Sequence, residues 1–336
     1  MSGAPGTRSL SEGIFSPMAP ALPKPHHGRE FGTLVGLLAL CVALWIATPH
    51  FLTVSNLLNV VEQSAIIGII AVGMTFVILT AGIDLSVGSI VALSGVALGV
   101  TFRAGLPVPL AAGAGLAVGL ACGLTNGVLI TIGRLPPFIA TLGMMSVARG
   151  GALMLSDGRS ISGYPEGFRS IATGSVLGLP LPVLVMLATY AAAHFVLTRT
   201  PLGRYTYAIG GNEEAAELSG INVRAYKTAV YGIAGLLSAV TALLLVARLD
   251  SAQPIAGIMY ELDAIAAVVI GGTSLMGGSG SVIGTLIGAL IMGVLRNGLN
   301  LLGVSSYLQQ VAIGTVIIVA VLVDMALRRR ARLPTE

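Results

Sequence analysis

Residues 63–88 read Gln63-Ser-Ala-Ile-Ile-Gly-Ile-Ile-Ala-Val-Gly-Met-Thr-Phe-Val-Ile-Leu-Thr-Ala-Gly-Ile-Asp-Leu-Ser-Val-Gly88. Residues 63–83 carry no charge and exceed the ~18 apolar residues that mark a membrane-spanning helix. Gly82, Asp84 and Ser86 then interrupt the run before another begins. Uncharged runs recur at 31–48, 85–102, 104–133, 170–198, 228–247, 264–295 and 297–323. Of the 336 residues 55% are hydrophobic and only 10% charged, against about 25% charged in a soluble domain. Such a chain cannot wet the surface of a globule, so it reads as an all-α polytopic membrane protein.

Helices are expected at about 31–48, 58–80, 85–102, 109–131, 137–155, 175–198, 227–247, 261–276, 280–301 and 306–327, ten in all. Two places stay open. The 264–295 run, punctuated by Gly271, Gly272, Gly277, Gly278 and Gly280, reads as two crossings or as one broken helix, and so does the pair around Gly82 to Ser86. Residues 1–29 hold five Pro and three basic residues without the apolar core of a signal peptide, which predicts a disordered cytoplasmic tail. A transmembrane domain over 30–328 and a tail over 329–336 complete the chain. Starting inside places twelve of the eighteen Lys and Arg in cytoplasmic segments, so both termini are expected there.

Gly115, Gly119, Gly123 and Gly127 form one four-residue ladder, and Gly280, Gly284 and Gly288 another. Apolar helices in lipid associate through close backbone approach at such small residues. Each ladder ends near an Asn-Gly pair, Asn126-Gly127 and Asn297-Gly298, and the two pairs lie 171 residues apart. This reads either as coincidence in a glycine-rich chain or as a repeat of five helices; an odd number of helices inverts the two halves.

Polar residues inside the spans are few. Asp84 and Ser86 suit either the capping of the helix after the Gly82 break or a polar wall along a transport path, with Asn126 and Asn297 beside it. Glu261 and Asp263 open another helix in the same manner, with Arg149 and Arg248 as possible ion partners. Cys41 and Cys122 have no spacing that suggests a metal or a disulfide, and no motif asks for a cofactor. Gly277-Gly-Ser-Gly280 has no histidine in a later helix to serve as base, and Ala81-Gly82-Ile83-Asp84 lacks the pattern of an intramembrane aspartyl protease. Neither Lys24 nor Lys227 lies in a phosphate-binding loop, so ATP hydrolysis would need a separate subunit. The cations cluster at segment ends without interleaved aromatics, which excludes a nucleic-acid face.

The connection 199–227 is the one internal loop that joins acids, bases and helix formers. Asn212 suits the cap of a short helix with Glu213 and Glu214 in its first turn, and Gly220 suits its end. Ala215 and Leu218 would then meet a cytoplasmic partner; lying on lipid suits the three acids less.

Four passages resemble the permease subunits of bacterial ABC sugar importers of the ribose type. They are 73–88, Leu135-Pro-Pro-Phe-Ile-Ala-Thr-Leu-Gly143, Ala208-Ile-Gly-Gly-Asn-Glu-Glu-Ala-Ala216 and Tyr260-Glu-Leu-Asp-Ala-Ile-Ala-Ala-Val-Val-Ile-Gly-Gly-Thr-Ser274. Glu214-Ala-Ala-x-x-x-Gly220 also agrees with the start of the ATPase-docking loop of ABC importers, although the Ile-x-Leu-Pro that completes that loop elsewhere is missing. The resemblance implies a homodimer or close heterodimer in the inner membrane. A cytoplasmic ATPase with two nucleotide-binding domains and a periplasmic sugar-binding protein would complete it. It also implies a coupling role for Asn212, Glu213, Glu214, Ala215, Ala216 and Gly220.

Overall fold

The computed structural model describes residues 27–331. Thirteen helices follow in order: α1 (His27–Ala47), α2 (Val54–Leu79), α3 (Val87–Arg103), α4 (Val108–Thr131), α5 (Pro137–Ser156), α6 (Glu166–Thr173), α7 (Leu181–Arg199), α8 (Pro201–Gly211), α9 (Glu213–Leu218), α10 (Val223–Leu249), α11 (Tyr260–Ile270), α12 (Val282–Leu301) and α13 (Ser306–Ala331). Among them α1, α2, α4, α5, α7, α10 and α12 are long and apolar enough to cross a membrane. The chain is an all-α polytopic membrane protein. The expected tails lie outside the described residues over 1–26 and 332–336, while the inner edge of each, from His27 and up to Ala331, is helical.

Two expected helices are shorter than foreseen, each for a local reason. The segment expected from 175 begins only at Leu181, because Ser175–Val176 (β2) and Leu179–Pro180 (β3) pair as a hairpin. Leu177 at φ 53° and Gly178 at φ 80° form its tip, the left-handed pair that such a two-residue turn requires. The segment expected over 261–276 stops at Ile270, where Gly272, Gly277, Gly278 and Gly280 take positive φ. The eleven residues of α11 rise about 16 Å, half the ~30 Å hydrocarbon core. The 264–295 run is therefore a half-length helix, a turn and a full helix folded back on it. The short strands Ile161–Ser162 (β1) and Ser251–Ala252 (β4) pair near the far end of α10.

The glycine ladders bring the helices together as expected. Along α4, a Cβ on Gly115, Gly119, Gly123 or Gly127 would strike in turn Ser94 of α3 and then Ala239, Tyr231 and Thr228 of α10. The residue numbers fall on α10 as they rise on α4, so the two helices run antiparallel. Gly284 and Gly288 of α12 lie against the carbonyls of Gly271 and Ala267 in the same way, which closes the α11–α12 hairpin. At the centre α2 crosses α10, with Gly73 against Ala234 at one level and Glu62 against Arg248 at another. This pair also runs antiparallel.

Gly123→Ala should push α4 off α10, since its Cβ would collide with the Tyr231 carbonyl. We expect a loss of about 1–3 kcal/mol, read as a lower melting temperature in detergent. Gly143→Ala, which meets nothing within 4 Å, should leave the melting temperature unchanged.

Candidate functional site

The connection between α7 and α10 folds as a capped pair of short helices. Thr200 receives the Gly203 N–H at the start of α8, and the Asn212 side chain accepts from the Ala215 N–H at 2.9 Å at the start of α9. Gly220, at φ 82°, ends α9 with its N–H on the Glu217 carbonyl, and the Asn222 side chain caps α10. The expected cap and stop are therefore where the sequence put them. Ala216 turns inward onto Ile209 and Val223, so it seats the helix. Glu213 also turns back, and its carboxylate lies 2.7 Å from the Lys227 ammonium. Glu214, Ala215 and Leu218 face out, Leu218 with 83% of its surface free. A Tyr205–Tyr226 edge contact at 4.8 Å backs the unit.

This segment is joined by backbone to the places where the long helices break. Gly210 of α8 sits so close to the Leu79 carbonyl and the Gly278 nitrogen that no side chain fits there. The Gly278 N–H donates to the Leu79 carbonyl at 2.9 Å, which joins the end of α2 to the turn between α11 and α12. Tyr207 donates to the Gly280 carbonyl at 2.9 Å. Burial, with the Glu30 carboxylate nearby, pushes this phenol up to about 12, so it keeps its proton and its role as donor at any physiological pH.

Just beyond the end of α2, Asp84 takes the Ser86 N–H at 2.8 Å and the Ser86 hydroxyl, and the hydroxyl in turn receives Asn126 Nδ2 at 2.9 Å. All three residues are fully buried. The carboxylate thus satisfies backbone exposed by the break, while Asn126 ties the start of α3 to the α4 ladder. Asn297 lies elsewhere, in a double amide pair with Asn56 at 2.8 and 3.1 Å. At the start of α3, Gly88 lies backbone to backbone with Gly257, in the strap 253–259 that leads to α11. Arg149 holds that strap by donating to the Pro254 and Ala256 carbonyls, both at 2.8 Å.

The expected ion partners need correction. Asp263 pairs with Arg296 at 2.6 Å, and Arg248 pairs with Glu62 at 3.2 Å; of the foreseen combinations only Arg149 faces Glu261, by charge at longer range. Residues 263 and 296 meet because α11 folds back along α12, and a two-sided reading of the glycine turn left that register undefined. Arg296 was findable, since it is the single charge that separates the runs 264–295 and 297–323. Lys227, one of only two lysines, was findable in the same way.

Among known proteins, the chain is 53% identical to the ribose import permease protein of Bacillus subtilis over 298 residues, covering 88% of this chain and 92% of that one. It is 50% identical to the ribose import permease protein of Haemophilus influenzae over 299 residues, 88% and 93% of the two chains. The D-allose transport system permease protein of Escherichia coli is 41% identical over 298 residues, 88% and 91%. No solved structure matches. With residues 56–321 matching its model, this multi-pass membrane protein belongs to the family described as branched-chain amino acid transport system, permease component.

Proposed function

We propose that the chain is the membrane permease of an ATP-driven importer that moves a monosaccharide, ribose or a similar pentose or hexose, from the periplasm to the cytoplasm. The observation that carries this reading is α9: a capped helix tied to α10 through Glu213 and Lys227, with an exposed face of Glu214, Ala215 and Leu218. A membrane chain with no phosphate-binding loop needs such a handle to receive work from an ATPase. The family description names amino acids, whereas relatives at 50–53% identity are named for ribose and one at 41% for D-allose, and this favours a sugar.

The assembly we infer holds two permease copies, alike or closely related, in the inner membrane. A cytoplasmic ATPase with two nucleotide-binding domains sits under the α9 helices, and a periplasmic sugar-binding protein lies opposite. Both termini are cytoplasmic. ATP is hydrolysed by the partner, and Asn212, Glu213, Glu214, Ala215, Ala216 and Gly220 pass its motion on. We further infer ten crossings in two inverted halves, with α3 and α11 as their shorter members. The starts of α2, α3, α4 and α5 precede those of α10, α11, α12 and α13 by 169, 173, 174 and 169 residues, and α2 runs antiparallel to α10. Asp84, Ser86 and Asn126, buried within a single chain, then hold the wall of the passage from behind, and Asn297 with Asn56 braces its other end.

The direct test is uptake of labelled D-ribose in liposomes that carry the permease, the ATPase and the binding protein; dependence on ATP supports the reading, and uptake driven by an ion gradient alone refutes it. Leu218→Arg should insert normally, because the side chain is free, yet lose ATPase capture and uptake by about tenfold or more. Gly220→Val, strained at positive φ, should do the same. Lys227→Met should leave the ATPase bound but cut sugar moved per ATP by about fivefold or more, measured as the ratio of uptake to phosphate release.

A further inference from the structure

Docking and helix breaks leave one group of charges unexplained. The pairs Asp263–Arg296 and Glu62–Arg248 join α11 to α12 and α2 to α10, and Glu62 and Arg296 are the single charges of α2 and α12. Tyr260 connects them, since Arg296, Asp263 and Arg248 all act electrostatically on its hydroxyl. Gln63, Asp263 and Arg296 also line one small cavity of about 30 Å³. Glu62 and Gln63 lie in the first three turns of α2, Arg248 at the end of α10 and Arg296 in the last two turns of α12. The docking segment touches the other ends of these three helices, so the charges occupy the opposite half of the bundle.

Several of these groups look outward. Asp263 is 5% exposed, but its partner Arg296 is 42% exposed, and Arg248 and Glu62 are 29% and 21% exposed. Charges within membrane-spanning helices face the bundle interior or a water-filled cavity in almost all cases. Two acids and two bases cancel, so this wall has no net field to select an ion. Each pair is already closed, and a zwitterion would have to break one to bind. A neutral polyol takes only the remaining lone pairs and N–H groups, with Gln63 offering both, and Ile67, Ala289 and Met292 line the apolar side of the same cavity.

We propose that Glu62, Gln63, Arg248, Asp263 and Arg296 form a monosaccharide-binding wall at the mouth of the passage on the side away from the docking helix. The proposal rests on the importer reading and adds the place where the sugar first touches the permease.

The test uses the full complex in liposomes with the binding protein and D-ribose, on a Cys41→Ser, Cys122→Ser background. Gln63→Cys should react with a membrane-impermeant methanethiosulfonate added on the binding-protein side, and D-ribose under turnover should slow the reaction about tenfold. Glu62→Gln with Arg248→Gln removes a pair without stranding a charge; it should raise the KM for D-ribose about tenfold with kcat nearly unchanged. An unreactive thiol, a reaction that D-ribose does not slow, an unchanged KM, or a disulfide linking two permease copies overturns the proposal, the last by making the wall a subunit contact. Should the double variant fail to insert, labelling decides alone. If the unsubstituted complex moves no D-ribose, the importer reading fails and the wall fails with it. If that complex moves D-ribose past an unreactive thiol, only the wall fails.

Discussion

A backbone group stranded at bilayer depth costs several kcal/mol unless the protein satisfies it, and this membrane chain interrupts its apolar helices more than once. The rest of the structure follows from how those breaks are closed. After α2 the closure is a side-chain carboxyl: Asp84 takes the Ser86 N–H before α3 and the Ser86 hydroxyl, which Asn126 holds in turn. Before α11 it comes from a guanidinium, with Arg149 donating to two carbonyls of the strap. Between α11 and α12 it is glycine backbone, which lets Gly278 reach the Leu79 carbonyl directly. Each break is thus closed by groups of this chain, a carboxyl, a guanidinium or bare backbone, rather than by water.

Those closures also suit the proposed docking segment to act as a lever. A short helix on a flexible loop would move without consequence. Here α9 is clamped to α10 by Glu213 and Lys227, and α8 touches the end of α2 and the α11–α12 turn through Gly210 and Tyr207. At 1.5 Å of rise per residue, α2 and α10 carry a displacement across about 40 Å without bending. The charged pairs on α2, α10, α11 and α12 stand at the far ends of those helices. Under the proposed mechanism, a push at one end would reach the proposed sugar-facing groups at the other through these long helices.

The positions of the helices were legible because lipid imposes a length and a composition that local sequence must obey, and every expected segment contains a helix. The docking helix was legible for a different reason: Asn212, Glu213 and Gly220 are local signals acting within one turn. What the sequence did not disclose is pairing at long range. Arg296 could have met several acids, and only the fold-back of α11 on α12 selects Asp263. Glu62 gave no signal in an apolar helix start until Arg248 arrived from nearly two hundred residues away. The hairpin tip at Leu177 and Gly178 was missed because its residues are as apolar as the helix that follows, so hydropathy gave no boundary there.

The proposed inversion of the halves also explains why only one of them carries a docking segment. Related by inversion, the connection between α1 and α2 and the connection between α7 and α10 emerge on opposite faces. The first spans only residues 48–53, whereas the second holds all of α8 and α9. In the proposed assembly an ATPase confined to one compartment can grip only one of the two equivalent loops, which fits the presence of short helices in that loop alone. The same asymmetry leaves the far face free of any lever. There the helix ends converge on Glu62, Arg248 and Arg296, and a neutral charge-paired surface suits a solute that must be held briefly and then released.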